Sequence, residues 1–332
     1  MAEAEWGTRD ARGEWQPEVL PVPGELFRFP PRPLAIARYL FAPEGFLWPY
    51  NLLVFLLALA SWAWLTPGPE RTSHLELGWI ALVWLRNAGL IALVYGGTHL
   101  WLYVARGQGL RFKYTNRWLA REEGKFLFRD QLWDNVFFSV VSGCSFWTAY
   151  EALTLLAYSR GLIPRVNFTA HPIYCVLLFP AIVLFRLFHF YWVHRLIHLK
   201  PLYGPVHSLH HKNVNVGPWS GLAMHPLEHL VYFSGVLVHW VIPSHPVHVL
   251  FNLFHAGLTP VLSHAGFHKF VGRGERGLMN DQYFHYLHHR YFTVNFGGEA
   301  MPLDQWFGTF HDGSPEAQAM MARRARVRAT RT

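Results

Sequence analysis

The sequence predicts an all-α membrane protein of about four transmembrane helices plus a re-entrant or tilted helical hairpin, with a cytoplasmic helical cap. Three observations carry that expectation. Apolar residues make up 52% of the 332-residue chain and charged residues only 15%, a balance that points to a bilayer rather than to water. Four apolar runs, Leu47–Leu65, Leu77–Ala105, Leu132–Tyr158 and Ile173–Val193, are each about long enough to cross roughly 30 Å of hydrocarbon as helix. Lys and Arg collect in the segments between them, the pattern of loops that stay cytoplasmic.

Taken in order, "MAEAEWGTRDARGEWQPEV" has no apolar core of the secretory kind, so no cleaved signal is expected and the first span serves as the anchor. Pro21–Pro33 is proline-rich and is expected to lie extended along the surface. Residues 1–45 form a cytoplasmic N-terminal segment, and residues 46–332 a single membrane-embedded domain. The second run is interrupted by Arg86, and Arg186 lies inside the fourth; pairing of Arg86 with Glu151 is one way to hold such a charge. Two shorter runs, Leu230–Ile242 and Val247–Leu262, flank Pro243 and Pro246 and read as the hairpin.

Charge placement gives the orientation. Five arginines precede the first span, the segment Arg106–Arg129 carries seven basic residues, and the tail from Lys269 onward carries nine. The Pro67–Glu76 loop holds only Arg71, and the loop near Arg160 only that residue and Arg165. Both termini and the histidine-rich segments are therefore expected on the cytoplasmic side. A net charge of +8 is accounted for by anionic lipid and topology, and no RNA- or DNA-binding motif accompanies it, so no nucleic-acid partner is expected. Cys144 and Cys175 both fall inside apolar runs, which excludes a disulfide framework and a cysteine metal site. Any metal chemistry must use nitrogen and oxygen ligands.

Nitrogen is plentiful, with 21 histidines. His194 and His198 are four apart at the end of the fourth run, so both rings leave one helix face. "HSLHH" (His207, His210, His211) and "HYLHH" (His285, His288, His289) place three rings each on one side of a helix. Random placement at this histidine frequency yields roughly 0.1 such triplets in the chain; two occur. Between them, "HPLEH" (His225, Glu228, His229) and "HAGFH" (His264, His268) repeat the four-residue spacing, as further ligands or as groups behind the ligands. Eight or nine imidazoles exceed the needs of one metal and suit two, and imidazole accepts iron, zinc or copper. Two other classes use membrane histidines: a haem-binding electron carrier, marked by a Soret band, and a zinc-dependent hydrolase or metal transporter, marked by zinc.

Together "HRLIH", "HSLHH" and "HYLHH" resemble the boxes of the fatty acid hydroxylase/sterol desaturase superfamily of integral-membrane di-iron enzymes. The resemblance runs from about residue 185 to 310 and includes "HHKN", "MHPLEH", "SHAGF", "NFG" at Asn295–Gly297 and "WFGTF" at Trp306–Phe310, in the family's order. One departure is visible: many members carry Trp-Asp before "FGT", whereas here the order is Leu303-Asp304-Gln305-Trp306. The resemblance implies two ferrous ions held by His194, His198, His207, His210, His211, His264, His285, His288 and His289, with "HPLE" bringing His225 to the site; Glu228, His229 and His268 are additional ligands or residues behind them by spacing alone. It implies an oxidoreductase that uses O2 to hydroxylate or desaturate a membrane lipid, sterol-type or fatty acyl, with "HPLE" closer to the sterol branch.

Tyr191, Trp192, Trp219, Tyr286 and Phe292 interleave the boxes and are expected to line the lipid pocket. The chain has no flavin fingerprint and no cysteine cluster, so electrons, ultimately from NAD(P)H, are expected through a separate b-type cytochrome or ferredoxin docking on the basic surface around Arg106–Arg129 and Arg323–Arg331. Arginine outnumbers lysine 24 to 5, a bias of GC-rich genomes. A bacterium would place the protein in the inner membrane and favour a polar-lipid headgroup or acyl chain as substrate; a eukaryote would place it in the endoplasmic reticulum.

Overall fold

Among the described residues, three helices are long and apolar enough to cross a membrane: α3 (Leu77–Val104), α4 (Gln131–Ser159) and α5 (Pro172–Ile197). They belong to a computed structural model that describes residues 6–21, 24–272 and 277–329. At 1.5 Å per residue each is about 40 Å long, enough to span with tilt. Their starts follow from local chemistry. Asp130 caps α4 by accepting from the Leu132 and Trp133 amides, and Pro172 occupies the first turn of α5, where no amide partner is needed. Leu82, Leu85, Leu93, Ile173, Val176 and Leu177 point outward from α3 and α5, the side that lipid would cover.

The first apolar run is shorter than expected. It forms α2 (Tyr50–Leu65), 16 residues preceded by α1 (Pro33–Phe41). Pro49 stands at its start, and Pro67 holds Thr66 extended at ψ 128° and ends it. The structure therefore carries three full-length spans and one shorter helix where the sequence expects four.

The hairpin consists of α6 (Pro226–Phe233), a tight helical continuation Ser234–Trp240, and α7 (Pro246–Leu258). Every residue of α7 except His255 is buried, because α2, α4 and α5 all pack around it. A helix that is apolar on all sides belongs in an interior, so α7 is the hub of the bundle rather than a lipid-facing re-entrant segment.

The cap is assembled from short pieces. β1 (Gly7–Arg9) pairs antiparallel with β2 (Trp15–Pro17), and β3 (Lys269–Val271) with β4 (Gly277–Met279). Trp15 is buried against Phe112, Tyr114 and His268, so residues 6–17 pack onto the cap. α8 (Tyr283–Tyr291) is buried beneath them, and α9 (Pro315–Ala329) follows. Within Pro21–Pro33, Glu25–Phe27 forms one helical turn; Val22 and Pro23 lie outside the described residues, as do Met1–Glu5, Arg273, Arg276 and Arg331.

Arg86 on α3 meets Glu151 on α4 at 2.5 Å, with both side chains at most 5% exposed; Asn87 also donates to Glu151. Removing one member of such a pair leaves a bare charge in hydrocarbon. Glu151→Ala is expected to destabilise the protein by about 3 kcal/mol, read by chemical unfolding in detergent, and Arg86→Met added to it should recover most of the loss.

Candidate metal centre

Each strand of the site arises from a local feature. α5 ends at Ile197 with His198 as its cap, so His194 and His198 share the face of its last turn. Turns over Lys200–His211 then carry His207, His210 and His211. His264 follows the short helix Pro260–Ser263 that continues from α7, and α8 supplies His285, His288 and His289.

The nine rings converge on two groups. Ligand nitrogens of His194, His198, His207, His211 and His288 lie within 4.8 Å of one another, and so do those of His210, His264, His285 and His289. Each triplet is divided between the groups. His207 and His211 serve one and His210 the other; His285 and His289 serve one and His288 the other. Rings four apart meet edge to face over one side of the helix, and the ring at the third position is turned toward the neighbouring group.

The hydrogen bonds behind the rings test whether a cation fits. His194 Nδ1 donates to Phe296 O at 2.7 Å and His288 Nδ1 to Val294 O at 2.6 Å. His264 Nδ1 donates to Pro260 O at 3.0 Å, His210 Nδ1 to Ala223 O at 3.4 Å, and His207 Nδ1 to Glu228 Oε1 at 2.7 Å. A main-chain carbonyl only accepts, so His194, His288, His264 and His210 keep their protons on Nδ1 and present bare lone pairs at Nε2. Yet His264 Nε2 faces His210 Nε2 at 3.3 Å, and His194 Nε2 faces His207 Nε2 at 3.1 Å. The two lone pairs of His264 and His210 repel at that distance unless a cation sits between them. Protonation does not relieve this, because burial holds His210 down at about 4 and His207, His211, His264, His285, His288 and His289 well below the ordinary range. The donor set therefore fits two metal ions with five and four nitrogens, of a kind that imidazole binds.

The carbonyls are themselves braced. Asp304 accepts from Phe296 N at 2.9 Å, Gly297 N at 2.8 Å and the Thr309 hydroxyl at 2.6 Å. Asn295, in the left-handed region at φ 55°, donates to Phe284 O and His311 O and accepts from His311 N. Both residues stand in motifs visible in the sequence, Asn295 in "NFG" and Asp304 before Trp306, but spacing assigns them no role; a carboxylate inside the apolar 301–310 stretch is the one signal of it. Leu303-Asp304-Gln305-Trp306 thus supplies the acid that holds the Val294–Gly297 turn against His194 and His288.

The other sequence-selected groups separate. Glu228 joins the site through His207, and its second oxygen has no partner. His225 is half-buried and caps α6 by accepting from Leu227 N. His229 bonds to Leu222 O and the Ser142 hydroxyl. His268 lies among Trp15, Tyr114 and Asp281. None of these three histidines belongs to either group.

A cavity of about 270 Å³ opens onto His194, His207, His210, His264 and His285, walled by Leu187, Phe190, Met224, Tyr232 and Phe284. None of the five aromatics expected to line the lipid pocket borders it. Tyr191 packs against Phe296 and Leu303, Trp192 is 40% exposed, Trp219 lies on Tyr95, Tyr286 on Tyr114 and Phe292 on His211. Helical spacing explains the difference on α5: the residues that border the cavity, Arg186, Leu187, Phe190, Val193, His194 and Ile197, centre on Phe190, and Tyr191 and Trp192 follow it at about 100° and 200° around the helix.

Replacing Asp304 with Ala is expected to weaken metal binding by about tenfold or more, measured by metal titration. Stripping metal from the native protein with a chelator should lower its thermal midpoint, since binding to the folded state alone stabilises it.

Residues 179–309 match the fatty acid hydroxylase family. A Delta(7)-sterol 5(6)-desaturase of Gibberella zeae is 31% identical over 129 residues, 38% of this chain and 39% of that protein. One of Aspergillus fumigatus is 29% identical over 168 residues, 49% of this chain and 46% of that protein. A Delta(7)-sterol-C5(6)-desaturase of Nicotiana tabacum is 31% identical over 131 residues, 38% of this chain and 46% of that protein. The chain thus spans less than half the length of these relatives. No solved structure matches. Both histidine groups, the bracing carbonyls and Asp304 all lie inside the segment, residues 179–309, that is similar to the fatty acid hydroxylase family.

Proposed function

We propose that this protein is an O2-dependent oxidoreductase that hydroxylates or desaturates a membrane lipid at a di-iron centre held by the nine clustered histidines. One observation carries the reading: two groups of bare imidazole nitrogens face one apolar cavity beside the end of a membrane-length helix. An unactivated C–H bond resists ordinary acid and base side chains, and a bound iron pair supplies the oxidising power through O2. The polypeptide does the rest. Phe190, Leu187 and Met224 present the lipid with an apolar wall, and His194, His207, His210, His264 and His285 form the end of the cavity nearest the metal sites. Glu228 holds the Nδ1 proton of His207, keeping its Nε2 free to ligate.

The basic segments support a topology with both termini and the histidine groups on the cytoplasmic side. A lipid then reaches the cavity from the bilayer, while a soluble or membrane-bound carrier, a b-type cytochrome or ferredoxin fed by NAD(P)H, delivers electrons from the cytoplasm. The relatives named above are sterol 5(6)-desaturases, which supports dehydrogenation of a lipid C–H pair as readily as hydroxylation. Iron at about two per chain is expected; zinc at one per chain or a Soret band would favour the hydrolase or the haem carrier.

The test is lipid mass spectrometry of cells with and without the gene. Gain of one oxygen atom marks hydroxylation and loss of two hydrogen atoms marks desaturation. His288→Ala is expected to abolish either change; retained turnover in that variant would overturn the ligand assignment.

A further inference from the structure

Of the three arginines in the long apolar helices, Arg195 lies in the last turn of α5 and donates to the Tyr191 hydroxyl; the other two, Arg86 and Arg186, lie deeper, and the structure treats them differently. Arg86 is met by the carboxylate of Glu151 and by Asn87 and Thr66. Arg186, 4% exposed, has no ion-pair partner among the described residues. Its Nη1 donates to Tyr232 O at 3.3 Å, its guanidinium lies over the Tyr232 ring at 4.9 Å, and its Nε has no acceptor among the described residues. The fold makes room for it: a Cβ on Gly235 would stand 3.1 Å from Nη1.

A guanidinium near the middle of a membrane-length helix is expensive to leave unanswered, and Arg186 borders the same cavity as the histidines. Eight residues separate it from His194, about 12 Å along the helix. Of the neighbouring polar groups, His255 bonds to Asn51, and the Tyr232 hydroxyl donates to Ala256 O and accepts from Arg186 as a neutral group, so neither supplies an anion. His189, beside Arg186, bonds to Ser234 and supplies no anion. The carboxyls that border the cavity, Glu228 and Glu299, form no ion pair with it, and Glu228 is engaged by His207.

Resting on the lipid-oxidation reading, we propose that Arg186 is the specificity residue of the cavity, binding an acceptor oxygen of an acidic or acyl-carbonyl group on the substrate. The substrate class is then an acyl amphiphile, held by its oxygen end so that its chain runs toward the histidine groups, rather than a lipid whose only polar group is a hydroxyl. A planar donor fork with an open Nε suits a carboxylate or carbonyl.

The test uses the full-length metal-loaded protein in phosphatidylcholine nanodiscs, titrated with hexadecanoate, methyl hexadecanoate, hexadecanol and cholesterol, with metal content and thermal midpoint read on the same samples. Wild type is expected to bind the acid, or the acid and ester, about tenfold or more tightly than the alcohol. Acid over ester assigns an anionic headgroup; equality assigns a carbonyl. Arg186→Met should bring all within about twofold at unchanged metal content. Should that variant unfold, Arg186→Lys decides: a reduced but present acid preference supports the assignment, and an undiminished one overturns it. Equal binding of alcohol or cholesterol by wild type, or preference retained in a folded Arg186→Met, also overturns it. Discrimination without any oxidised lipid product would remove the oxidation reading and leave this one; oxidised product without discrimination would do the reverse.

Discussion

Nine imidazole nitrogens brought into two groups with their lone pairs facing inward are the constraint on which the rest of the structure depends. Such an arrangement is repulsive by itself and becomes favourable around cations. Each surrounding element is explained by the need to maintain it. Main-chain carbonyls of Ala223, Pro260, Val294 and Phe296 take the Nδ1 protons, and Asp304 and Asn295 hold two of those carbonyls in place. The chain turns sharply at Phe292, φ 64°, which lets the residues after α8 fold back behind its own histidines.

The bundle serves the same end from below. α7 sits buried among α2, α4 and α5 and leads through Pro260–Ser263 to His264. A single ring therefore reaches the second group from the centre of the apolar core, while α5 brings His194 and His198 from the membrane-length helix beside it. The cavity forms where these two approaches meet, which is why apolar side chains and imidazoles share its lining. Arg86 with Glu151 and Arg186 with none show two ways a charge is held at depth: one closed within the protein, the other left open toward the cavity.

Much of this was legible in the sequence. The apolar runs, the three histidine boxes and the position of His264 follow from period and spacing, because a helix of given length and a ring four residues from another have few places to go. The aromatics were not legible, since Tyr191 and Trp192 differ from Phe190 only by their angle around α5. Nor was the burial of α7, because an apolar segment looks the same whether lipid or protein surrounds it.

The sequence alone determined that histidines would gather at one end of a membrane bundle and that cysteine would take no part. Only the tertiary structure decided how they divide into five and four, that Glu228, Asn295 and Asp304 stand behind them, and that Arg186 is left without an anion. The reason is physical: spacing along a helix fixes which side chains share a face, but the partner of a lone pair or a charge is set by chain segments up to a hundred residues away, and no local pattern encodes that distance.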